Sequence, residues 1–332
     1  MVLIDRFNRP ITGLRLSINS NCNFRCFFCH KEGLNQYQNR IMSVNEIERV
    51  VRILTKFDIR FVKLTGGEPM LRKDIVEIID RIHNQQINEI SMTTNGTNLA
   101  KLALDLKKAG LRRVNISLHS LNKERFKWIT GVEKLEETLS AIKASINAGL
   151  TPIKLNMVVL KNVNDNEIND MIDFTARMGG GNSVILQLIE LVNEGESDGF
   201  IYDEFHYDLT QIEQALIKRA IKKDLRSLHF RHRYLMPNGV WVEIVKPMHN
   251  SNFCMGDNRI RITHDGYFKP CLLRSDNYVD FLTPMRNGAS DEDLAKLFLK
   301  AVELREPFFK PKYPLYCERY NAFNIVGCKN GF

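Results

Sequence analysis

The 332-residue chain predicts an α/β fold: an incomplete (βα)6 TIM-like barrel followed by a C-terminal extension. Three observations carry that expectation. Short apolar segments recur six times, each followed by a helical pattern; polar motifs follow the ends of the first four; and the repetition breaks near residue 195. Strand–helix alternation gives a parallel sheet. Six units fall short of a closed barrel, and in such folds chemistry gathers at the C-terminal ends of the strands.

The strands are expected at residues 14–18, 61–65, 89–93, 113–117, 153–159 and 184–191, rich in Leu, Ile and Val as strands buried on both faces should be. The helices are expected at 43–57, 72–83, 99–109, 134–148 and 166–178. Ser43 with Glu46 three residues on is a capping box. Gly110 and Gly149 fall where helix C-terminal glycines belong, just before the next strand. Residues 194–199 look like a loop and 209–223 like a helix. Strands and turns then follow at 241–245, 259–263 and, after His264-Asp265-Gly266, 267–273. A domain boundary is expected near 225, dividing a barrel (1–225) from a C-terminal region (226–332).

Hydrophobic content of 44% and charged content of 26% suit a soluble globular protein. Residues 1–10 include an early acid and no apolar core, so they do not resemble a secretory signal. No apolar run approaches the roughly 20 residues of a membrane helix. Seven cysteines, three of them clustered, favour metal ligation in a reducing, cytoplasmic setting over disulfides. A net charge of +8 suits nucleic acid or a phosphorylated small molecule. Helix-turn-helix, zinc-finger and RNA-motif signatures are lacking, which argues against nucleic acid.

Cys22, Cys26 and Cys29 follow the first strand. A closed zinc site takes four ligands and an iron–sulfur cluster held by thiolates alone takes four cysteines. Three thiolates on a four-iron cluster leave one iron open for another molecule. A zinc knuckle completed by His30 is the alternative. Gly66-Gly67 is either a tight turn or backbone approaching a ligand. Arg259 and Arg261 alternate along one strand, so their side chains share a face. They are either a surface pair or, beside Cys254, part of a substrate site. His119 reads as a hydrogen-bonded strand-end histidine rather than an acid or base.

The cysteine spacing and Gly66-Gly67-Glu68-Pro69 resemble the radical S-adenosylmethionine (SAM) superfamily. The resemblance implies a [4Fe–4S] cluster on Cys22, Cys26 and Cys29, with SAM on the open iron and Phe28, Gly67, Glu68, Ser117 and Val192 lining it. One-electron cleavage of SAM then yields a 5′-deoxyadenosyl radical. Over nearly its whole length the chain resembles the GTP 3′,8-cyclase family of molybdenum-cofactor biosynthesis, particularly its archaeal members. The shared stretches include Lys63-Leu-Thr-Gly-Gly-Glu-Pro69, Thr93-Thr-Asn-Gly96, Leu111-Arg-Arg-Val-Asn-Ile-Ser-Leu118, Val245-Lys-Pro-Met-His-Asn250 and Asn258-Arg-Ile-Arg261. That likeness implies GTP bound by Arg15, Lys63, Thr93, Lys154, Arg259 and Arg261, with Arg15, Arg259 and Arg261 also catalytic.

The likeness also implies a second cluster on Cys254, position 257 and Cys271. Here Asp257 stands where a thiolate is usual, and a carboxylate is a harder ligand. Cys317 or Cys328 could supply the sulfur instead, or Cys254 and Cys271 are simply small buried residues. The chain ends in Phe332 where the family carries Gly-Gly, and Gln187 stands where bacterial members place an arginine near phosphate. Implied partners are a reductant such as ferredoxin or flavodoxin, a downstream cyclic pyranopterin monophosphate synthase, and a second copy in a homodimer. The rival readings are a radical SAM paralogue acting on another nucleotide or a peptide, and a non-enzymatic metal-binding or nucleic-acid module.

Overall fold

A computed structural model describes residues 2–33, 40–193 and 199–310. Residues 194–198 of the expected loop, together with Cys317, Cys328 and Phe332, lie outside the described residues. A ribbon of β1 (Leu3–Ile4) and β2 (Pro10–Ile11) leads into the barrel. There follow β3 (Gly13–Ser17), α1 (Val44–Thr55), β4 (Phe61–Thr65), α2 (Ile75–His83), β5 (Glu89–Thr94), α3 (Leu99–Lys108) and β6 (Leu111–Ser117). Next come α4 (Lys123–Thr130), α5 (Leu135–Asn147), β7 (Ile153–Val159), α6 (Ile168–Arg177), the single turn α7 (Gly180–Ser183) and β8 (Val184–Glu190). The remainder supplies α8 (Gly199–Phe205), α9 (Thr210–Arg219), β9 (Lys222–Leu225), β10 (His232–Leu235), β11 (Trp241–Val245) and α10 (Ser251–Met255). It ends in β12 (Arg259–Ile262), β13 (Tyr267–Lys269), β14 (Val279–Asp280), α11 (Leu282–Arg286) and α12 (Asp291–Glu303).

Strands β3 to β8 pair in parallel in chain order, the barrel wall expected from the alternation. The capping box at Ser43 is present, with Glu46 N donating to Ser43 Oγ and Ser43 N to Glu46 Oε2. Helix α2 begins at Ile75 rather than Arg72 for a local reason. Arg72 pairs with Asp74 (2.6 Å) and reaches the carbonyls of Ile18 and Met42, so 72–74 tie the helix to the end of β3. Helix α4 adds to the elements expected from sequence. Asn122 caps its start by accepting from Arg125 N, and Gly131 ends it in the left-handed conformation (φ 73°).

The C-terminal part builds onto both edges of this wall. β12 pairs in parallel with β3, and β11 pairs in parallel with β8. Residue 225, the expected boundary, is the last of β9, a strand of the same continuous sheet. That sheet ends at β14 on one side and β9 on the other, so the barrel stays open. The turn between β9 and β10 reaches across the gap. His229 N donates to Gly256 O (2.7 Å), and His229 Nε2 lies 3.0 Å from Asp257 Oδ1.

Strands β3 to β6 are apolar mainly on one face. Leu14, Leu16, Val62, Leu64, Ile90, Met92, Val114 and Ile116 are buried in the hydrophobic core. The intervening Arg15, Ser17, Lys63, Thr65, Ser91, Thr93, Arg113 and Asn115 line the barrel interior, as the period of two requires. The strands are largely buried on both faces, as expected, but the inner face of β3 to β6 is polar and makes the interior a polar chamber. Among the described residues no helix is long and apolar enough to cross a membrane.

Asp5 and Arg305 meet beneath the Cys254–Asp257 segment. Arg305, wholly buried, pairs with buried Asp5 (2.6 Å) and donates to the carbonyls of Asp257 (2.6 Å) and Arg259 (3.0 Å). Asp5 also holds Arg9, whose Nη1 donates to Cys254 O. Removing one member of a buried pair strands its partner. Arg305→Met is therefore expected to lose roughly 3–5 kcal/mol of stability. Arg6→Met, breaking an exposed pair with Glu306, should lose about 1 kcal/mol or less. Denaturant titration of both variants checks this.

Candidate functional site: the cysteine loop and the polar chamber

The cysteine loop is fastened on both sides. Gly67 N donates to Asn19 O (2.9 Å) and Glu68 N to Asn21 O (2.7 Å), while Asn19 Nδ2 returns a bond to Glu68 O (2.8 Å). A Cβ on Gly67 would stand 2.2 Å from Asn21 O, so the second glycine is required by close packing against the chain just ahead of Cys22. On the other side, the free carbonyls at the end of α4 hold the loop, Thr130 O accepting from Arg25 N (2.8 Å) and Ile129 O from Phe27 N (3.3 Å).

Cys22, Cys26 and Cys29 are free thiols on this loop. Burial pushes Cys26 up to about 12, and the charges of Cys29 and Cys22 push the same way. Three thiolates that disfavour one another need a cationic partner, which an iron cluster provides. His30 lies instead among Glu32, Arg15 and Arg261, and among the described residues no three His, Cys, Asp or Glu side chains converge on a single ion. A zinc knuckle does not fit this arrangement. A cubane, each thiolate on its own iron, asks for no such convergence.

The residues expected to line SAM stand at the mouth around this loop. Phe28 packs edge-on against His119 (5.0 Å between centroids), whose Nδ1 accepts from Val158 N. Burial holds His119 down to about 4, so it is a neutral positioning group, as the sequence suggested. Ser117 ends β6 beside Asn156 of β7, and Val192 follows β8. Glu68 is turned inward, accepting from Thr94 Oγ1 (2.6 Å), Asn95 N (2.7 Å) and Met70 N (3.0 Å). Burial raises its carboxyl to about 7. It thereby fixes Asn95, whose Oδ1 accepts from Thr97 N and whose Nδ2 bonds Asn23 Oδ1 and lies 4.0 Å from Cys22 Sγ. Asn95 escaped the list of expected site residues, although its motif marks a strand end.

Below the mouth, the substrate residues expected from sequence are brought together. Arg261, Arg15, Lys63, Ser91 and Arg113 form one rung across β12, β3, β4, β5 and β6. Thr93, Asn115 and Lys154 form the next across β5, β6 and β7. Glu32 clasps Arg15 through two bonds (2.5 and 2.8 Å), and Arg15 with its neighbours keeps it ionised against the opposing effect of burial. Glu243, fully buried, is ion-paired to Lys154, lies 3.0 Å from Arg231 and accepts from Gln187 (3.0 Å). Burial opposes its charge, yet Arg231 and Lys154 hold it down to about 2. Arg259 Nη2 lies 2.8 Å from His229 Nε2. Lys63 is the exception: among the described residues its ammonium has no hydrogen bond and no ion pair. Burial, then Arg113, Arg15, Lys154 and Arg259, depress it well below the usual lysine range. Glu32, Arg113, Glu243, Arg226 and Arg231 were not among the expected residues, because only the topology brings them here.

At the second expected cluster, Cys254 and Cys271 lie close enough for their charges to interact, and Cys271 is also near Arg261. Asp257 is engaged elsewhere, by His229 (3.0 Å), Arg259 N (3.3 Å) and Arg305 (3.5 Å). The third ligand expected of it is thus an ion-pair hub in this structure.

An open parallel barrel bearing a three-thiol loop at its mouth defines a radical SAM enzyme. The Radical SAM superfamily model matches residues 16–175, and the Molybdenum Cofactor Synthesis C model matches residues 184–311. Probable GTP 3′,8-cyclases of Thermococcus kodakarensis and Pyrococcus horikoshii are 48% and 49% identical to the chain over 313 residues. Each alignment covers 93% of this chain, and 100% and 98% of the two relatives. The chain belongs to the GTP 3′,8-cyclase family. Solved structures with the same fold include Streptococcus suis SuiB bound to precursor peptide SuiA (TM-score 0.60, 16% identity, 92% of this chain and 67% of that one). Native anSMEcpe with bound AdoMet and Cp18Cys peptide is similar in fold too (TM-score 0.58, 16% identity, 91% and 84%).

Gly67→Ala is expected to keep the fold by circular dichroism while losing most of the iron reconstituted at the cysteine loop. Iron analysis beside wild type checks this; equal iron would mean the loop tolerates the displaced Asn21.

Proposed function

We propose that this chain binds GTP in the barrel interior and converts it to (8S)-3′,8-cyclo-7,8-dihydroguanosine 5′-triphosphate on the route to molybdopterin. The observation that carries the reading is the charge of the chamber. Arg15, Lys63, Arg113, Lys154, Arg231, Arg259 and Arg261 face only a few shared carboxylates, and Lys63 has no anion within reach among the described residues. A buried cation without a partner is unfavourable unless a ligand supplies the charge. A triphosphate does so, and guanidinium forks match its oxygens bidentately.

When bound, the [4Fe–4S] cluster and SAM supply one-electron cleavage of SAM and hence hydrogen-atom abstraction. The chain's own residues do the rest. Cys22, Cys26 and Cys29 would hold the cluster; Phe28, Gly67, Glu68, Ser117 and Val192 would frame SAM above the chamber. Arg15, Lys63, Thr93, Lys154, Arg259 and Arg261 would hold the nucleotide, the wall of paired side chains keeping bulk water from the reacting ribose. Cys254 and Cys271 would carry a second cluster beside Arg261. A ferredoxin or flavodoxin would deliver the electron, and a cyclic pyranopterin monophosphate synthase would take the product.

Anaerobic incubation of reconstituted protein with dithionite, SAM and GTP is expected to give the cyclised nucleotide. SAM cleavage without that product would move the substrate assignment to another nucleotide or a peptide. Cys254→Ala is expected to lower iron from about eight to about four per chain, on the basis of two four-iron clusters; unchanged iron would remove the second one.

Binding should also depend on pH. The free chamber depresses Lys63, and a triphosphate would restore its pKa, so binding takes up a proton between the two values. Over that window affinity falls by up to about tenfold per pH unit as pH rises. Calorimetry in buffers of different ionisation enthalpy should report the uptake, and Lys63→Met should reduce it.

A further inference from the structure

We propose that Arg226 and Arg231, at the tip of the β9–β10 hairpin, form a phosphate-binding subsite for the nucleotide in the chamber. The proposal rests on the triphosphate reading above and assigns two residues that the sequence motifs do not include. The pair face each other one rung beyond Leu225 and His232, with Arg226 N donating to Arg231 O (2.9 Å). Arg231 reaches inward to Glu243, at 3.0 Å. Arg226 lies in the same neighbourhood, close enough to influence Lys154, Arg231 and Glu243. Yet its side chain makes no hydrogen bond or ion pair among the described residues, and its Nε is closed off from solvent.

An enclosed guanidinium N–H without an acceptor marks a missing partner. Glu243 does not fill that role, being already shared by Lys154, Gln187 and Arg231. Arg231 and Lys154 nearby are cationic and Asp257 is held by His229, so the missing partner is an anion, and the planar fork of arginine suits a phosphate. Lys63, on the far side of Lys154's strand, lacks a partner too, so two orphaned cations ask for a ligand carrying several charges along its length. The tip is also held in place. His229, between the two arginines, bonds Gly256 and meets Asp257, which anchors the hairpin to the segment before β12. A subsite here is preorganised rather than closing on demand.

The test is binding to anaerobically reconstituted full-length protein of guanosine, GMP, GDP and GTP, for wild type, Arg226→Gln and Arg226→Lys. Wild type is expected to tighten with each added phosphate. Arg226→Gln should weaken GTP about tenfold or more while leaving guanosine unchanged, the effect of losing one charged hydrogen-bonding group, and Arg226→Lys should recover part of the loss. The inference is overturned, with the triphosphate reading intact, if wild type favours GTP and Arg226→Gln binds it equally well. It is likewise overturned if the variant loses guanosine and GTP in equal measure. Wild type indifferent to phosphate number would overturn both.

Discussion

Buried positive charge in excess of buried negative charge is the constraint on which the rest of this molecule depends. Lys63 is buried beside other cations, and Arg226, partly buried, has its Nε closed off, neither with a carboxylate of its own among the described residues. Such an arrangement opposes folding, since burial and like charges both penalise the ammonium and guanidinium forms. It persists because stability is supplied elsewhere. The apolar faces of the same strands pack against the outer helices, and residues near the two ends of the chain are joined through Asp5 and Arg305.

The carboxylates that do enter the chamber act as spacers more than as neutralisers. Glu32 is shared by Arg15, Thr65 and Arg261; Glu243 by Lys154, Arg231 and Gln187; Asp257 by Arg259, His229 and Arg305. Each fixes two or three donors at set positions while leaving a net positive field between them. A site with its donors already oriented needs little reorganisation when an anion arrives. The geometry thus accounts for cations that look redundant one at a time.

How much of this was legible in the sequence follows from what is local. Leu14 to Ile18 announced a strand, Ser43 and Glu46 a helix start, and three cysteines a metal loop, because each signal lies within a few residues. The step from Arg15 to Lys63 was visible only through motif likeness. Glu32, Glu243 and Arg231 carry no local pattern, since their meaning comes from rungs that join residues far apart in the chain. The polar interior is legible only from the topology, because a barrel places every second residue of neighbouring strands on one wall. Asn122 and Gly131 do bracket α4 in the sequence, and that signal was there to be used.

Asp257 shows how topology can overrule a motif. Motif likeness alone made it an expected middle ligand of a second cluster, since a carboxylate is chemically able to bind iron. Moving it onto a metal would leave Arg305 with Asp5 as its carboxylate partner and would loosen the tie between the hairpin tip and β12. In this structure Asp257 is the residue that keeps Arg259, His229 and Arg305 where the chamber needs them.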